Sequence, residues 1–136
     1  MIESLENMEN LLQIETTLLF AAIFGVLHVV FTLRVGVYRF LSKISLGDGD
    51  DKELSNRIRA HGNFIENVPI ALLLLLLNDL NGLPENLLLT LGSVLLASRL
   101  LHYVMIVSRA LPLIFRPISM IGTLGTILVS AILLIV

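Results

Sequence analysis

Long apolar segments dominate this sequence, and they restrict the chain to very few kinds of fold. Three of them, at about residues 16–40, 85–108 and 112–136, meet the requirement of about 20 residues for a helix that crosses the hydrocarbon core of a membrane. Every backbone polar group in lipid must be paired within the protein, so a span cannot end halfway across. We therefore expect an all-α membrane protein.

The composition agrees with this class and excludes several kinds of chemistry. The chain has 136 residues, of which 56% are hydrophobic and 15% are charged, too few charges to cover a soluble domain of this size. The first 15 residues carry glutamates but no Lys or Arg, which argues against a cleaved signal peptide. Without cysteine, any sulfur chemistry must use a sulfur of the substrate. We expect one domain over residues 1–136, with no metal site and no nucleic-acid partner.

The second apolar run, Val68 to Leu77, has only ten residues and would cover about half the hydrocarbon thickness. Extending it back to Arg57 gives a full crossing, so we predict a second span at about 57–79 whose first half is polar. The alternative is an amphipathic helix on the membrane surface that leads into a short span.

The polar half of this second span has one distinct stripe. Arg59, Asn63 and Glu66 are spaced by four and three residues and therefore share a helix face, which we expect to face protein rather than lipid. Pro69 has no N–H and is expected to kink the helix just beyond this stripe.

Matched depth in the membrane links this stripe to the third span. Glu66 lies nine residues after Arg57, and Arg99 lies ten residues before Arg109, so both are about 13–15 Å from the same boundary. We predict that Glu66 and Arg99 form an ion pair, because a lone charge at that depth is costly. By the same rise Asn63 lies level with His102, which predicts a polar chamber between the first three helices. Its cationic excess suits an anionic ligand from the cytoplasm.

The basic residues also predict the orientation of the chain. They surround the first and third connections and are absent from the N-terminus, the second connection and the C-terminus. By the positive-inside rule the first and third connections are cytoplasmic, and both termini lie outside the cytoplasm.

Two stretches carry a resemblance to a known family. Residues Arg59 to Pro69, RAHGNFIENVP, resemble the second-helix signature of the MAPEG family (membrane-associated proteins in eicosanoid and glutathione metabolism), which can be written R-A-x-x-N-x-x-E-x-x-P. The stretch SRLLHY at residues 98–103 and the stretch RPIS at residues 116–119 resemble later helices of that family. The similarity covers about residues 15–136, and the small bacterial branch is most alike.

The resemblance implies a homotrimer of four-helix subunits in a bacterial inner membrane, with glutathione as co-substrate bound between neighbouring subunits. It implies that Arg116 stabilises the thiolate and that Arg34 or Arg39 reaches the site from the first helix. Family members that resemble leukotriene synthase have two tyrosines where this chain has His102 and Ile106. His102 can still donate a hydrogen bond and Ile106 cannot. Taken with the depth argument, the candidate binding residues are Arg34, Arg59, His61, Asn63, Glu66, Arg99, His102 and Tyr103.

The expected function is a glutathione-dependent transferase or peroxidase-like activity on a hydrophobic electrophile or lipid peroxide that arrives from the membrane lipid. A cation in a low-dielectric setting lowers the pKa of a thiol and so activates it. Two alternatives remain open. One is a non-catalytic lipid- or ligand-binding protein of the same family. The other is a small proton-coupled exporter, whose membrane glutamate should lack a fixed cationic partner.

Overall fold

The computed structural model describes residues 14–108 and 111–136, and within them the chain forms four helices. They are α1 (Glu15–Ser42), α2 (Lys52–Leu80), α3 (Glu85–Val107) and α4 (Phe115–Leu133). All four are long and apolar enough to cross a membrane. The predicted four-helix, all-α fold is confirmed. Arg109, used above to estimate depth, lies outside the described residues.

Helix α2 includes both the polar half and the leucine-rich half of the second span in one continuous element of 29 residues. At 1.5 Å per residue it is about 44 Å long, enough to cross the hydrocarbon core and continue into the interface. The helix runs through Pro69 without ending. The chain therefore does not switch from a separate surface helix to a short span.

The start of α2 is fixed by a side-chain cap. Asp51 Oδ1 accepts hydrogen bonds from the backbone N–H groups of Glu53 (2.8 Å) and Leu54 (3.0 Å), and the Tyr38 hydroxyl donates to Asp51 Oδ2 (3.1 Å). The Leu54 N–H is the main reason that the pKa of Asp51 lies below its ordinary value. The stabilisation by this cap is thus present at neutral pH and is lost as the pH falls through that lowered pKa.

The helices pack in chain order, and α2 contacts all three others. Aromatic rings hold α1 against this core. The Phe64 ring of α2 lies 5.9 Å from Phe24 and 5.1 Å from Phe31, between centroids. Phe31 also stacks on Tyr103 of α3, with centroids 3.7 Å apart. These contacts set the rotation of α1 and α2 about their own axes.

Helix α4 has the polarity expected of a helix in lipid. Its buried residues are all hydroxyl-bearing: Ser119, Thr123, Thr126 and Ser130. Three of these hydroxyls donate to carbonyls three or four residues earlier in the same helix. Most large aliphatic residues of α4 point outward, and Ile127 packs against the core. This arrangement lets α3 and α4 approach closely and leaves apolar side chains for the lipid.

Gly92 of α3 permits a similar close approach, because a Cβ at this position would overlap with the Phe20 ring of α1. We expect Gly92→Ala to lower the free energy of unfolding by about 1–3 kcal/mol through overpacking. Gly36→Ala is the matched control, since nothing lies within 4 Å of a Cβ there. Thermal unfolding in detergent measures both, and equal losses for the two variants would contradict this account of α1–α3 packing.

Candidate functional site

Arg99 lies at the centre of the polar interior. It is 2% exposed, and its Nη1 donates to Asn63 Oδ1 at 2.6 Å. Its Nη2 lies 3.4 Å from the sulfur of Met120, and its Nε has no hydrogen-bond partner. In the part of the chain that the structure describes, the one salt bridge joins Arg57 to Glu53. A buried guanidinium is therefore held by a neutral amide and a thioether, without a carboxylate.

The predicted ion pair between Glu66 and Arg99 is wrong within one chain, because Arg99 bonds Asn63 and the Glu66 side chain is exposed. The depth argument selected Glu66, which lies three residues, or less than one helical turn, from the observed partner Asn63. It gave no information on rotation about the helix axis. The packing of Phe64 turns Asn63 toward α3 and Glu66 away from it.

The polar stripe of α2 faces outward from the chain. Arg59 and Glu66 are exposed, and Asn63 is half-buried. Together with Ser55, Ile58 and Gly62 they line a groove of about 420 Å³, here named the stripe groove. The expected chamber between the first three helices is thus wrong in two respects. The buried polar residues around Arg99 lie between α2, α3 and α4, and the stripe opens to the outside.

A second cavity, here named the Arg116 cleft, adjoins the stripe groove. It has a volume of about 520 Å³ and includes both Arg59 and Ile106 in its walls. Its full lining is Asn56, Arg59, Met105, Ile106, Leu111, Pro112, Leu113 and Arg116. Because Arg59 lines both cavities, one surface runs from Glu66 past Asn63 and Arg59 to Arg116. The fold thus brings three predicted binding residues and the predicted catalytic residue together.

His102 has a partner that the sequence did not predict. Its Nδ1 lies 2.9 Å from Ser119 Oγ, and Ser119 Oγ donates to the Arg116 carbonyl at 2.8 Å. His102 is 4% exposed and Ser119 is 1% exposed. The available signal was the spacing of Ser119 three residues after Arg116, which lets a helical hydroxyl reach that carbonyl. Met120, the other partner missed, follows directly.

Two other predicted site residues lie on the α1 side, away from both cavities. Arg34 is exposed, with its Cζ 5.9 Å from the centroid of the Tyr103 ring. Tyr103 is buried against Phe31, and its hydroxyl has no hydrogen-bond partner. Arg39, the alternative to Arg34, donates to the Gly47 carbonyl at 2.6 Å. Within one chain neither arginine lines the stripe groove or the Arg116 cleft.

His61 also faces α1. Its Nε2 lies 3.1 Å from the Thr32 hydroxyl, and its ring centroid is 5.4 Å from that of His28. The predicted site residues that are not buried therefore divide between two surfaces of the chain. Arg59, Asn63, Glu66 and Arg116 share the cavity surface, while Arg34 and His61 lie on the α1 surface.

Charge is distributed unequally between the two ends of the bundle. The end that carries the Arg116 cleft is rich in arginine and lysine. The opposite end has a groove lined in part by Glu15, Asp79 and Glu85, and no Lys or Arg lies there within residues 14–108 and 111–136. The Lys and Arg residues at the end that carries the Arg116 cleft outnumber its Asp and Glu residues among the described residues, which favours the approach of an anion.

Comparison with known proteins gave a family and two curated relatives. The model of the MAPEG family matches residues 17–136. The chain is 39% identical over 85 residues to the inner membrane protein YecN of Escherichia coli strain K12, over 62% of this chain and 65% of the relative. The protein of the same name from Escherichia coli O6:H1 (strain CFT073) matches to the same extent. The match thus spans a little under two thirds of these relatives, and no solved structure matches.

Proposed function

The chain belongs to the MAPEG family, and we propose that it is a membrane-bound, glutathione-dependent transferase or peroxidase-like protein. It would activate the glutathione thiol against hydrophobic electrophiles or lipid peroxides. The observation that carries this proposal is the continuous surface from Glu66 to Arg116. Two exposed guanidinium groups, one amide and one carboxylate lie along it, next to the apolar exterior of a membrane helix.

The charges of this surface complement those of glutathione, which has two carboxylates and one ammonium group. Arg59 can bind a carboxylate through paired hydrogen bonds, and Glu66 can accept from the ammonium group. The side-chain oxygen of Asn63 accepts a hydrogen bond from Arg99. The amide nitrogen Nδ2 therefore remains available to donate toward the stripe groove. The groove thus offers donors for an anion beside one acceptor for a cation.

Arg116 is placed to act on the sulfur. It is the second residue of α4, so its guanidinium and the positive end of the helix dipole are adjacent. Together they stabilise a thiolate, which is the reactive form. The thiolate sulfur then forms a bond to an electrophilic carbon, and the leaving group departs with its electron pair. The apolar walls of the Arg116 cleft suit the hydrophobic substrate.

A second copy of the chain would explain why charged side chains of a membrane helix face outward. Exposed Arg59 and Glu66 are costly in lipid and are usually covered by protein. The α1 surface carries two predicted site residues, Arg34 and His61, that the cavity surface lacks. The homotrimer implied by the family resemblance, with its ligand between subunits, is part of this proposal.

Glutathione binding by the purified protein in detergent, measured by calorimetry, tests the proposal, followed by conjugation to an activated chloronitrobenzene. We expect binding and a rate of conjugation above that of protein-free detergent. Absence of binding would overturn the proposal. Binding without conjugation would favour the non-catalytic alternative, which gains support from Ile106 in the cleft wall where relatives have a tyrosine.

The exporter alternative also has an observation in its favour. An exporter glutamate should lack a fixed cationic partner, and Glu66 forms no salt bridge within the described residues. The predicted pairing with Arg99 therefore does not argue against an exporter in one chain. Against it, Glu66 lines a groove on the outside of the bundle and not a path through it. Proton release from vesicles on addition of hydrophobic cations, abolished by Glu66→Gln, would favour the exporter.

We also propose that the chain lies in a bacterial inner membrane with both termini outside the cytoplasm. Reporter fusions after Gly49, in the α1–α2 connection, and after Val136 are expected to report opposite compartments, with Gly49 cytoplasmic. The physical reason is the retention of Lys and Arg on the cytoplasmic side. A cytoplasmic reporter at Val136 would contradict this orientation.

A further inference from the structure

The hydrogen bonds around Ser119 determine which nitrogen of His102 carries a proton. Ser119 Oγ lies 2.8 Å from the Arg116 carbonyl oxygen, and two oxygens approach so closely only when a proton lies between them. A carbonyl has no proton to donate, so the hydroxyl of Ser119 donates its proton to the Arg116 carbonyl. In the hydrogen bond of 2.9 Å between His102 Nδ1 and Ser119 Oγ, the ring must therefore be the donor and the hydroxyl oxygen the acceptor. Nδ1 is therefore the protonated nitrogen.

The other ring nitrogen of a neutral imidazole has a free lone pair. His102 Nε2 has no hydrogen-bond partner among the described residues, yet it is not one of the fully enclosed polar atoms without a partner. His102 as a whole is 4% exposed. The position of the proton on Nδ1 corrects the expectation that His102 donates a hydrogen bond to a ligand, because its only ring N–H is used inside the protein.

His102 lies close to residues that line the Arg116 cleft. His102 is one helical turn from Ile106 on α3, and Ile106 lines the Arg116 cleft. Through Ser119 the ring is tied to the backbone of Arg116 itself. The charged groups that act on the ring are Arg99 of α3 and Arg116 of α4, and from α2 the neutral Asn63 faces Arg99.

We propose that His102 is the proton acceptor for the bound thiol, and that Ser119 is the positioning residue that fixes its tautomer. This inference rests on the proposed glutathione-dependent function. The S–H bond breaks, the proton moves to Nε2, and the electron pair stays on sulfur as a thiolate. Arg116 stabilises that thiolate. His102 then returns the proton to the leaving group or to water when the sulfur–carbon bond has formed.

The tautomer is tested without any ligand. The chain has three histidines, so selective ¹⁵N-histidine labelling in detergent gives three rings, and His102→Gln assigns one of them. We expect His102 to be neutral and protonated at Nδ1. In Ser119→Ala we expect the Nε2-protonated form to appear. Thr126→Val is the control and should change nothing, because this buried hydroxyl of the same helix donates to the Gly122 carbonyl and not to Ser119 or His102. An Nε2-protonated ring in the wild type would overturn the proposal.

The catalytic role is tested by comparing binding with turnover. His102→Gln is expected to keep glutathione affinity within a few-fold and to slow conjugation by roughly 100-fold. Ser119→Ala should also slow conjugation, and Ser119→Thr, which keeps the hydroxyl, should restore it. If the wild type conjugates and His102→Gln conjugates equally fast, this inference fails while the proposed function stands. If the wild type binds no glutathione, the proposed function fails and this inference with it.

Discussion

Replacing Arg116 by alanine is expected to slow conjugation by about ten- to a thousandfold while leaving glutathione affinity within a few-fold. Arg116 lies at the far end of the cavity surface from Glu66 and is the second residue of α4. Under the proposed function its charge and the helix dipole therefore act on the sulfur and not on the peptide part of glutathione. Without it the pKa of the bound thiol should rise, and the reactive thiolate should become scarce at neutral pH.

The ultraviolet absorbance of the thiolate, titrated against pH with glutathione bound, measures this effect directly. Lys52→Ala is the matched control, because Lys52 is an exposed cation at the same end of the bundle that lines neither cavity. An equal loss in both variants would mean that general positive potential, and not Arg116, activates the thiol. A wild type that binds glutathione without forming a thiolate would favour the non-catalytic alternative.

The second large effect is expected at Asn63, whose side chain contacts buried Arg99 and also lines the stripe groove. Its amide oxygen accepts from buried Arg99, and its Nδ2 is left for the stripe groove. In Asn63→Asp a carboxylate oxygen still accepts from Arg99, but the donor is gone and a negative charge faces the ligand. We expect the fold to be at least as stable, because the buried guanidinium gains a counter-charge. We expect glutathione affinity to fall by about 10- to 100-fold.

Asn63→Ala should instead affect both properties, since it leaves the Arg99 guanidinium without its oxygen partner. The free energy of unfolding is expected to fall by about 1.5–3 kcal/mol, the usual range for a hydrogen bond to a charged group. Asn86→Asp on α3 is the control, because Asn86 is an exposed amide outside the lining of both cavities. Unchanged glutathione affinity in Asn63→Asp would show that this amide does not hold the ligand.

Several features of the chain follow from local properties of the sequence and were predicted from it. Hydrophobic length identifies three of the four spans. The run of ten apolar residues from Val68 is too short to cross alone, so the polar half of α2 must belong to the same helix. Helical periodicity places Arg59, Asn63 and Glu66 on one stripe, and the same three residues line one groove. The motif around them identifies the family, which the match over residues 17–136 confirms.

Other features depend on how each helix is rotated about its axis, which hydrophobic length and depth do not specify. Depth placed Arg99 level with the stripe, but Phe64, packed between Phe24 and Phe31, turns Asn63 and not Glu66 toward Arg99. In the same way the approach of α4 to α3 selects Ser119 as the partner of His102. Side-chain packing across helices sets these rotations, because residues distant in sequence must fill the same space. The sequence by itself thus determined which residues share a helix face, and the tertiary structure decided which residue that face meets.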